Sequence, residues 1–250
     1  MASRIIIAIL AGQNPASQRC VGRRVDPFPD GLFVEIDSRN VIHKFLVRDD
    51  RFAAPLYDVI IRSMGSGGVF VDIGANFGYF SLVASARAPT DRVLAIEANP
   101  AYASKLAEHA ARNSCTNIEI FEVACWDEDG TLDLFVAGIH NPGKTSLSSS
   151  NAYSADLVRV LACPLDSIVE RSGVDRVDLV KLDVEGAELH VLKGMQRTID
   201  RYRPRVIVEV EDILLTQFAA TPGHIHDFFA RHGYRSETLS ATDILFVPIG

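Results

Sequence analysis

Carboxylates and glycines gather at four points of this 250-residue sequence, Asp72 to Gly78, Glu97-Ala98-Asn99, Asp183 to Gly186, and Glu209, and Ala124-Cys125 ends a further apolar run. Gly74 and Gly78 bracket a tight turn from an apolar run into a helix. Glycine lets the backbone approach a ligand and take positive φ, and a helix N-terminus favours negative ligand groups. Asp72 stands just before the turn, where it would repel a diphosphate and attract an ammonium or sulfonium. That separates a dinucleotide from S-adenosyl-L-methionine, whose reactive end carries cationic groups beside one carboxylate. The dinucleotide pattern G-x-G-x-x-G is absent, because Asn76 stands at its second glycine. Glu97 ends the next apolar run, 23 residues after Gly74. Its carboxylate can accept from both hydroxyls of a ribose, which either cofactor offers.

A reaction that takes a proton from a hydroxyl is helped by a positioned base. The candidates are Asp183, Glu185, Glu209 and His140. Asp183 ends a buried strand and is the best placed; its structural alternative is to cap a helix starting near Gly186. Glu185 could instead pair with Lys181 or occupy the first helical turn. Glu209 and Glu211 alternate around Val210, so one faces the strand ends and the other solvent. His140 sits in a turn-rich loop, where a histidine is ordinarily just exposed. His224 and His226 read as surface residues, His190 as a packed or solvated helix residue, and Asp166 as the cap of a short helix before Val169. Asp183, Glu185 and Glu209 could share Mg²⁺, but no ligand spacing demands it, so no metal is expected.

Positioning these groups requires strands that end together. Val69–Ile73, Val93–Ile96, Ile118–Ala124, Val177–Leu182, Arg205–Val210 and Ile244–Val247 read as strands. Helices are expected over 78–88, from Pro100 to about Asn113, from Ala187 to about Tyr202, and over 222–232. Asn99 serves as N-cap with Pro100 at the first helical position. Strands buried on both faces and alternating with helices imply an open parallel α/β sheet covered on both sides, with ligands beyond the carboxyl ends of the strands. Ahead of it, Leu32–Ile36 and Val41–Val47 read as a hairpin. Phe52, Leu56, Ile60 and Met64 fall on one helical face. Residues 127–176 break the alternation and include Gly138 to Lys144, a stretch long enough to be a lid over the site.

The composition excludes other classes. With 48% hydrophobic residues and 23% charged ones the chain has ample core to bury, and its net charge of −7 disfavours nucleic acid and acidic membranes as partners. Mean hydropathy is +0.13, and the longest apolar runs are too short to span a bilayer. Cys20, Cys115, Cys125 and Cys163 form no C-x-x-C pair and read as reduced thiols. Ile5 to Ala11 is at the short limit for a signal-peptide core and is followed by the poor cleavage region Gln13-Asn14-Pro15. A cytoplasmic location is the expectation.

The sequence resembles FkbM-type S-adenosylmethionine-dependent methyltransferases. The resemblance is carried by Val69-Phe-Val-Asp-Ile-Gly-Ala-Asn-Phe-Gly-Tyr-Phe80, Ala95-Ile-Glu-Ala-Asn-Pro100, Pro164-Leu-Asp-Ser167, Val180 to Gly194 with Lys-Leu-Asp-Val-Glu-Gly-Ala-Glu as its most specific block, and Pro204 to Glu209. Ala98 departs from the family, which usually has proline there. The resemblance implies a Rossmann-like class I methyltransferase fold, a seven-stranded mostly parallel sheet with the last strand antiparallel and helices on both faces. It implies residues 66–250 as the methyltransferase domain and residues 1–65 as a cap over the site. It also implies methyl transfer to a hydroxyl of a small-molecule or glycan acceptor, such as a sugar or polyketide. Asp72, Gly74, Ala75, Asn76 and Gly78 would line the methionine and ribose side, Glu97 and Ala98 the ribose, and Ala124 and Cys125 the adenine, with Asp183 also among the cofactor-binding residues. The Asn/Asp-Pro-Pro-aromatic motif of base-directed amino methyltransferases is absent, which favours oxygen as acceptor and argues against DNA. The competing readings are an NAD-dependent oxidoreductase and a binding protein that keeps the fold without turnover.

Overall fold

The computed structural model describes residues 32–35, 43, 53–137, 145–148 and 156–250. His140, the rest of its loop and most of the expected N-terminal hairpin lie outside the described residues. Where that hairpin is described, Leu32 to Glu35 form no strand, and His43 is helical rather than extended.

In chain order the elements are α1 (Ala54–Ser63), β1 (Val69–Ile73), α2 (Tyr79–Arg87), β2 (Arg92–Glu97), α3 (Pro100–Arg112), β3 (Ile118–Glu122), β4 (Ala124–Cys125), β5 (Gly130–Val136), β6 (Asp156–Cys163), α4 (Leu165–Ser172), β7 (Leu179–Leu182), α5 (Glu188–Lys193), α6 (Gln196–Tyr202), β8 (Arg205–Glu209), α7 (Asp212–Leu215), a 3₁₀ turn (Thr216–Phe218), α8 (Pro222–Arg231), β9 (Tyr234–Thr238) and β10 (Asp243–Pro248). Seven strands form one sheet in the order β3-β2-β1-β7-β8-β10-β9. The first five are parallel, and β10 runs antiparallel to both its neighbours. The sheet is thus the Rossmann-like methyltransferase arrangement.

Every residue of β1 is buried, and so is every residue of β7, as expected for strands covered on both faces. One face packs under Leu165, Ile168, Val191, Leu192, Ile225 and Phe229. The other receives Leu56 and Ile60 of α1 against Phe70, Val93, Leu179 and Ile207. Strand order reverses at β1: the chain goes outward through β2 and β3, then returns to β7 on the other side. A crevice opens beyond the carboxyl ends at such a reversal.

Three local expectations are corrected. The helix expected from Ala187 to Tyr202 is two helices, α5 and α6. A Cβ at Gly194 would lie 2.0 Å from the Trp126 carbonyl oxygen, so the backbones meet there and the helix turns. Asp166 caps not its own helix but α6, accepting from Arg197 N at 3.0 Å and Thr198 N at 2.8 Å. The expected strand Ile118–Ala124 divides at Val123, and β4 joins a second sheet of order β4-β6-β5. Strands β5 and β6 with α4 account for much of residues 127–176, while Gly138 to Lys144, the stretch read as a lid, lies outside the described residues. Asn99 and Pro100 behave as expected, with Asn99 Oδ1 accepting from Ala101 N at 3.0 Å. Among the described residues no helix is long and apolar enough to cross a membrane.

Candidate active site

Beyond β1 the chain turns sharply. Gly74 N and Ala75 N both donate to Ile96 O at 3.0 Å, tying the turn to β2. Gly74 has φ +76°, and a Cβ there would lie 1.8 Å from the Asp183 carbonyl oxygen. The turn after β1 and the end of β7 therefore touch through backbone. Asn76 is also left-handed, φ +55°, and its N–H donates to Glu97 Oε2 at 2.7 Å. Glu97 Oε1 accepts from Asn99 N at 2.7 Å. One carboxylate thus organises both turns, while 8% of Glu97 stays exposed towards the cleft.

The cleft at this reversal holds about 290 Å³. Of the expected residues, Gly74, Ala75, Asn76, Glu97, Ala98, Ala124, Cys125, Asp183 and Glu185 line it. Asp72 and Gly78 do not. A Cβ on Gly78 would meet Leu106 Cγ at 2.7 Å, so this glycine serves the packing of α2 against α3. Asp72 is fully buried beneath the floor, accepting from Ser81 Oγ at 2.6 Å and facing Lys181 Nζ at 3.9 Å. Burial raises its pKa, opposed by Lys181 and Ser81. Its charge is met inside the protein by Lys181 and Ser81, and the carboxylates that reach the cleft stand elsewhere.

Those carboxylates are at the ends of β7 and β8. Asp183, Glu185 and Glu209 each bring an oxygen within 4.8 Å of the others. Lys181 Nζ donates to Asp183 Oδ2 at 3.0 Å from below. Burial opposes the lysine's charge, but Asp183 and Asp72 hold its pKa above the ordinary value. The neighbouring Asp183, then burial and Glu185, raise the pKa of Glu209 above the ordinary carboxylate range. Asp183 makes no capping bond to a helix; the N-terminus of α5 has no side-chain cap. Ser146 and Thr145 close one side of the cleft, and Phe80 and Tyr102 line it as well.

A methyltransferase FkbM domain model matches residues 72–236. The chain belongs to the FkbM methyltransferase family. Among its relatives are the AMB antimetabolite synthetase AmbE of Pseudomonas aeruginosa, 26% identical over 91% of this chain but 13% of AmbE, and the hexuronic acid methyltransferase AglP of Haloferax volcanii, 27% identical over 72% of this chain and 71% of AglP. This FkbM-family chain thus spans a small part of AmbE. The crystal structure of Methyltransferase FkbM from Methylobacillus flagellatus KT superposes with a TM-score of 0.51 at 16% identity, covering 84% of this chain and 55% of that one. That likeness is one of fold.

In this family member, sequence reasoning named Lys181 only as a partner for Glu185, whereas it pairs with Asp183 and Asp72, and it passed over Phe80, Tyr102 and Ser146. Lys181 had a signal: a lysine inside the apolar strand Leu179–Leu182 demands a buried partner. Phe80 and Tyr102 have none, because an aromatic facing a cleft looks like one facing a core. His190, left open between packed and solvated, stacks on Trp126 with ring centroids 3.9 Å apart and bonds Asp127 Oδ2 at 2.8 Å. His226, read as surface, is half-buried with its ring edge against Phe246.

The buried carboxyls of this FkbM-family site make stability depend on pH. Burial pushes Glu97 and Glu188 each up to about 7, and Glu209 is raised as well. The folded chain therefore keeps protons that the unfolded chain releases above the ordinary 4.5. The stability they give is complete below that value and is lost as pH rises through about 7. His109, lowered by burial, works in the opposite sense below its ordinary 6.5, so the useful range begins there. Unfolding free energy should fall by on the order of 1–2 kcal/mol from about pH 6.5 to about pH 8. Urea titrations across that range check this; a flat or rising profile contradicts it.

Proposed function

We propose that this chain is an S-adenosyl-L-methionine-dependent O-methyltransferase acting on a hydroxyl of a small molecule such as a sugar or polyketide. The observation that carries the reading is that Glu97 and Asp183 open into one cleft at the sheet's reversal point. The cleft suits a nucleoside: Glu97 offers acceptor oxygens for a ribose diol, Ala124 and Cys125 give an apolar wall for adenine, and the Gly74 to Asn76 backbone bounds the amino-acid end. When bound, the cofactor supplies an electrophilic methyl group on sulfur. This chain's part is alignment and proton removal. Asp183, held by Lys181, takes the proton of the acceptor hydroxyl as its oxygen bonds to the methyl carbon and the sulfur–methyl bond breaks. Glu185 and Glu209 flank the place where that hydroxyl would lie. AglP, named for hexuronic acid, supports a sugar as one acceptor class.

The test is transfer of labelled methyl to a panel of neutral glycosides, hexuronic acids and polyketide alcohols, beside a thermal-shift comparison of S-adenosyl-L-methionine with NAD. Stabilisation by NAD alone, or binding of the methyl donor without transfer to any acceptor, would return the alternatives of an oxidoreductase or a silent binding protein. Glu97→Ala should weaken binding of the methyl donor by about 1–3 kcal/mol, the loss expected for hydrogen bonds to a charged partner. Unchanged affinity by calorimetry means that the ribose is held elsewhere.

A further inference from the structure

The turn that carries Asp183 and Glu185 is conformationally costly. Glu185 has φ +55° and Gly186 φ +105°, and a non-glycine residue in the left-handed region persists only when its surroundings hold it. Gly186 leaves no room to relax, since a Cβ there would lie 2.4 Å from Leu214 O. The hold comes from Glu188, in the first turn of α5. Its Oε1 accepts from Val184 N and from Gly186 N, both at 3.2 Å. These are the N–H groups on either side of Glu185. From the opposite direction Ser146 Oγ donates to Glu185 O at 3.2 Å. Glu188 itself is 1% exposed and is absent from the cleft wall. Its Oε2 is buried and has no hydrogen-bond partner.

We infer that Glu188 is a positioning residue: it never meets the reactants, but its Oε1 clamps both sides of Glu185 and so sets the spacing of Asp183, Glu185 and Glu209. The inference rests on the reading of that trio as the reaction centre. One oxygen does all of this work and the other bonds nothing, so an amide oxygen can replace the carboxylate. A side chain with no acceptor, or a shorter one, cannot.

The experiment compares E188Q, E188L and E188D in the full chain. It measures kcat and KM of methyl transfer, donor affinity by calorimetry, and amide hydrogen exchange at Val184 and Gly186. Misplacing a reacting group by about an ångström costs on the order of a hundredfold. E188L and E188D should therefore lose about ten- to a hundredfold in kcat, keep donor affinity within about threefold, and exchange faster at both amides. E188Q should stay within about threefold of the parent in kcat and match its exchange. E188D keeps the charge and the burial, so it carries the test if E188L does not fold. Parental kcat in E188D, or E188Q as impaired as E188L, overturns the inference. Hydrogen exchange is read without turnover: unchanged protection in E188L or E188D refutes the clamp even if no acceptor is found. Altered protection in a chain that transfers no methyl group supports the clamp and counts against the functional reading alone.

Discussion

Asp183→Asn should lower turnover by about a hundred- to ten-thousandfold, the range spanned by positioned general bases, with little change in affinity for the methyl donor. Asparagine keeps the shape and one oxygen for Lys181 Nζ, which sits 3.0 Å from Asp183 Oδ2. It removes the site that accepts a proton. Initial rates at saturating donor and acceptor, with donor affinity by calorimetry, check both halves. The same substitution acts on Glu209, because Asp183 is the largest cause of that residue's raised pKa. Without the neighbouring charge Glu209 gives up its proton more easily, so any residual activity should have a pH profile shifted to lower pH. Unimpaired turnover would move the base to Glu209 or Glu185 and leave the fold untouched.

Gly74→Ala should be more damaging to the fold than any other single methyl added at this site. Two penalties coincide: φ is +76°, and the new Cβ would fall 1.8 Å from the carbonyl oxygen of Asp183. Backbone cannot swing aside as a flexible side chain can, so β1 and β7 must separate at their ends. A loss of about 3 kcal/mol or more is expected, together with collapse of turnover as Asp183 is pushed out of line. Gly67→Ala is the control, because φ is +80° but nothing lies within 4 Å; it should cost only about 1 kcal/mol. Denaturant midpoints of the two variants separate conformational strain from collision. Equal midpoints would mean that the contact with Asp183 is not limiting.

The central strands were legible in the sequence because burial on both faces leaves an unbroken apolar run, as in Val69–Ile73. The start of α3 was legible because Asn99 and Pro100 act locally. What was missed depends on partners distant in sequence. Nothing between Ala187 and Tyr202 announces the break at Gly194, since the obstacle is the Trp126 carbonyl. Asp166 lies in the first turn of its own helix, yet its carboxylate serves Arg197 and Thr198. For the site, the chain positions of Asp72 and Gly78 were right beside the cleft, but the direction of a side chain off a strand end was beyond reach. Asp72 turns inward to Ser81 and Lys181, and the space beside Gly78 is taken by Leu106. The carboxylates that face the cleft in place of Asp72 are Asp183 and Glu185.

The reversal of strand order at β1 has a consequence for how the protein is made. Translation delivers β1, β2 and Glu97 early, whereas Asp183, Glu185 and Glu209 leave the ribosome only after the small sheet has been synthesised. Until then one flank of β1 is an apolar edge with no neighbour, the kind of surface on which nascent chains stick to one another and chaperones act. A ligand that needs both halves of the cleft cannot stabilise that half-finished sheet.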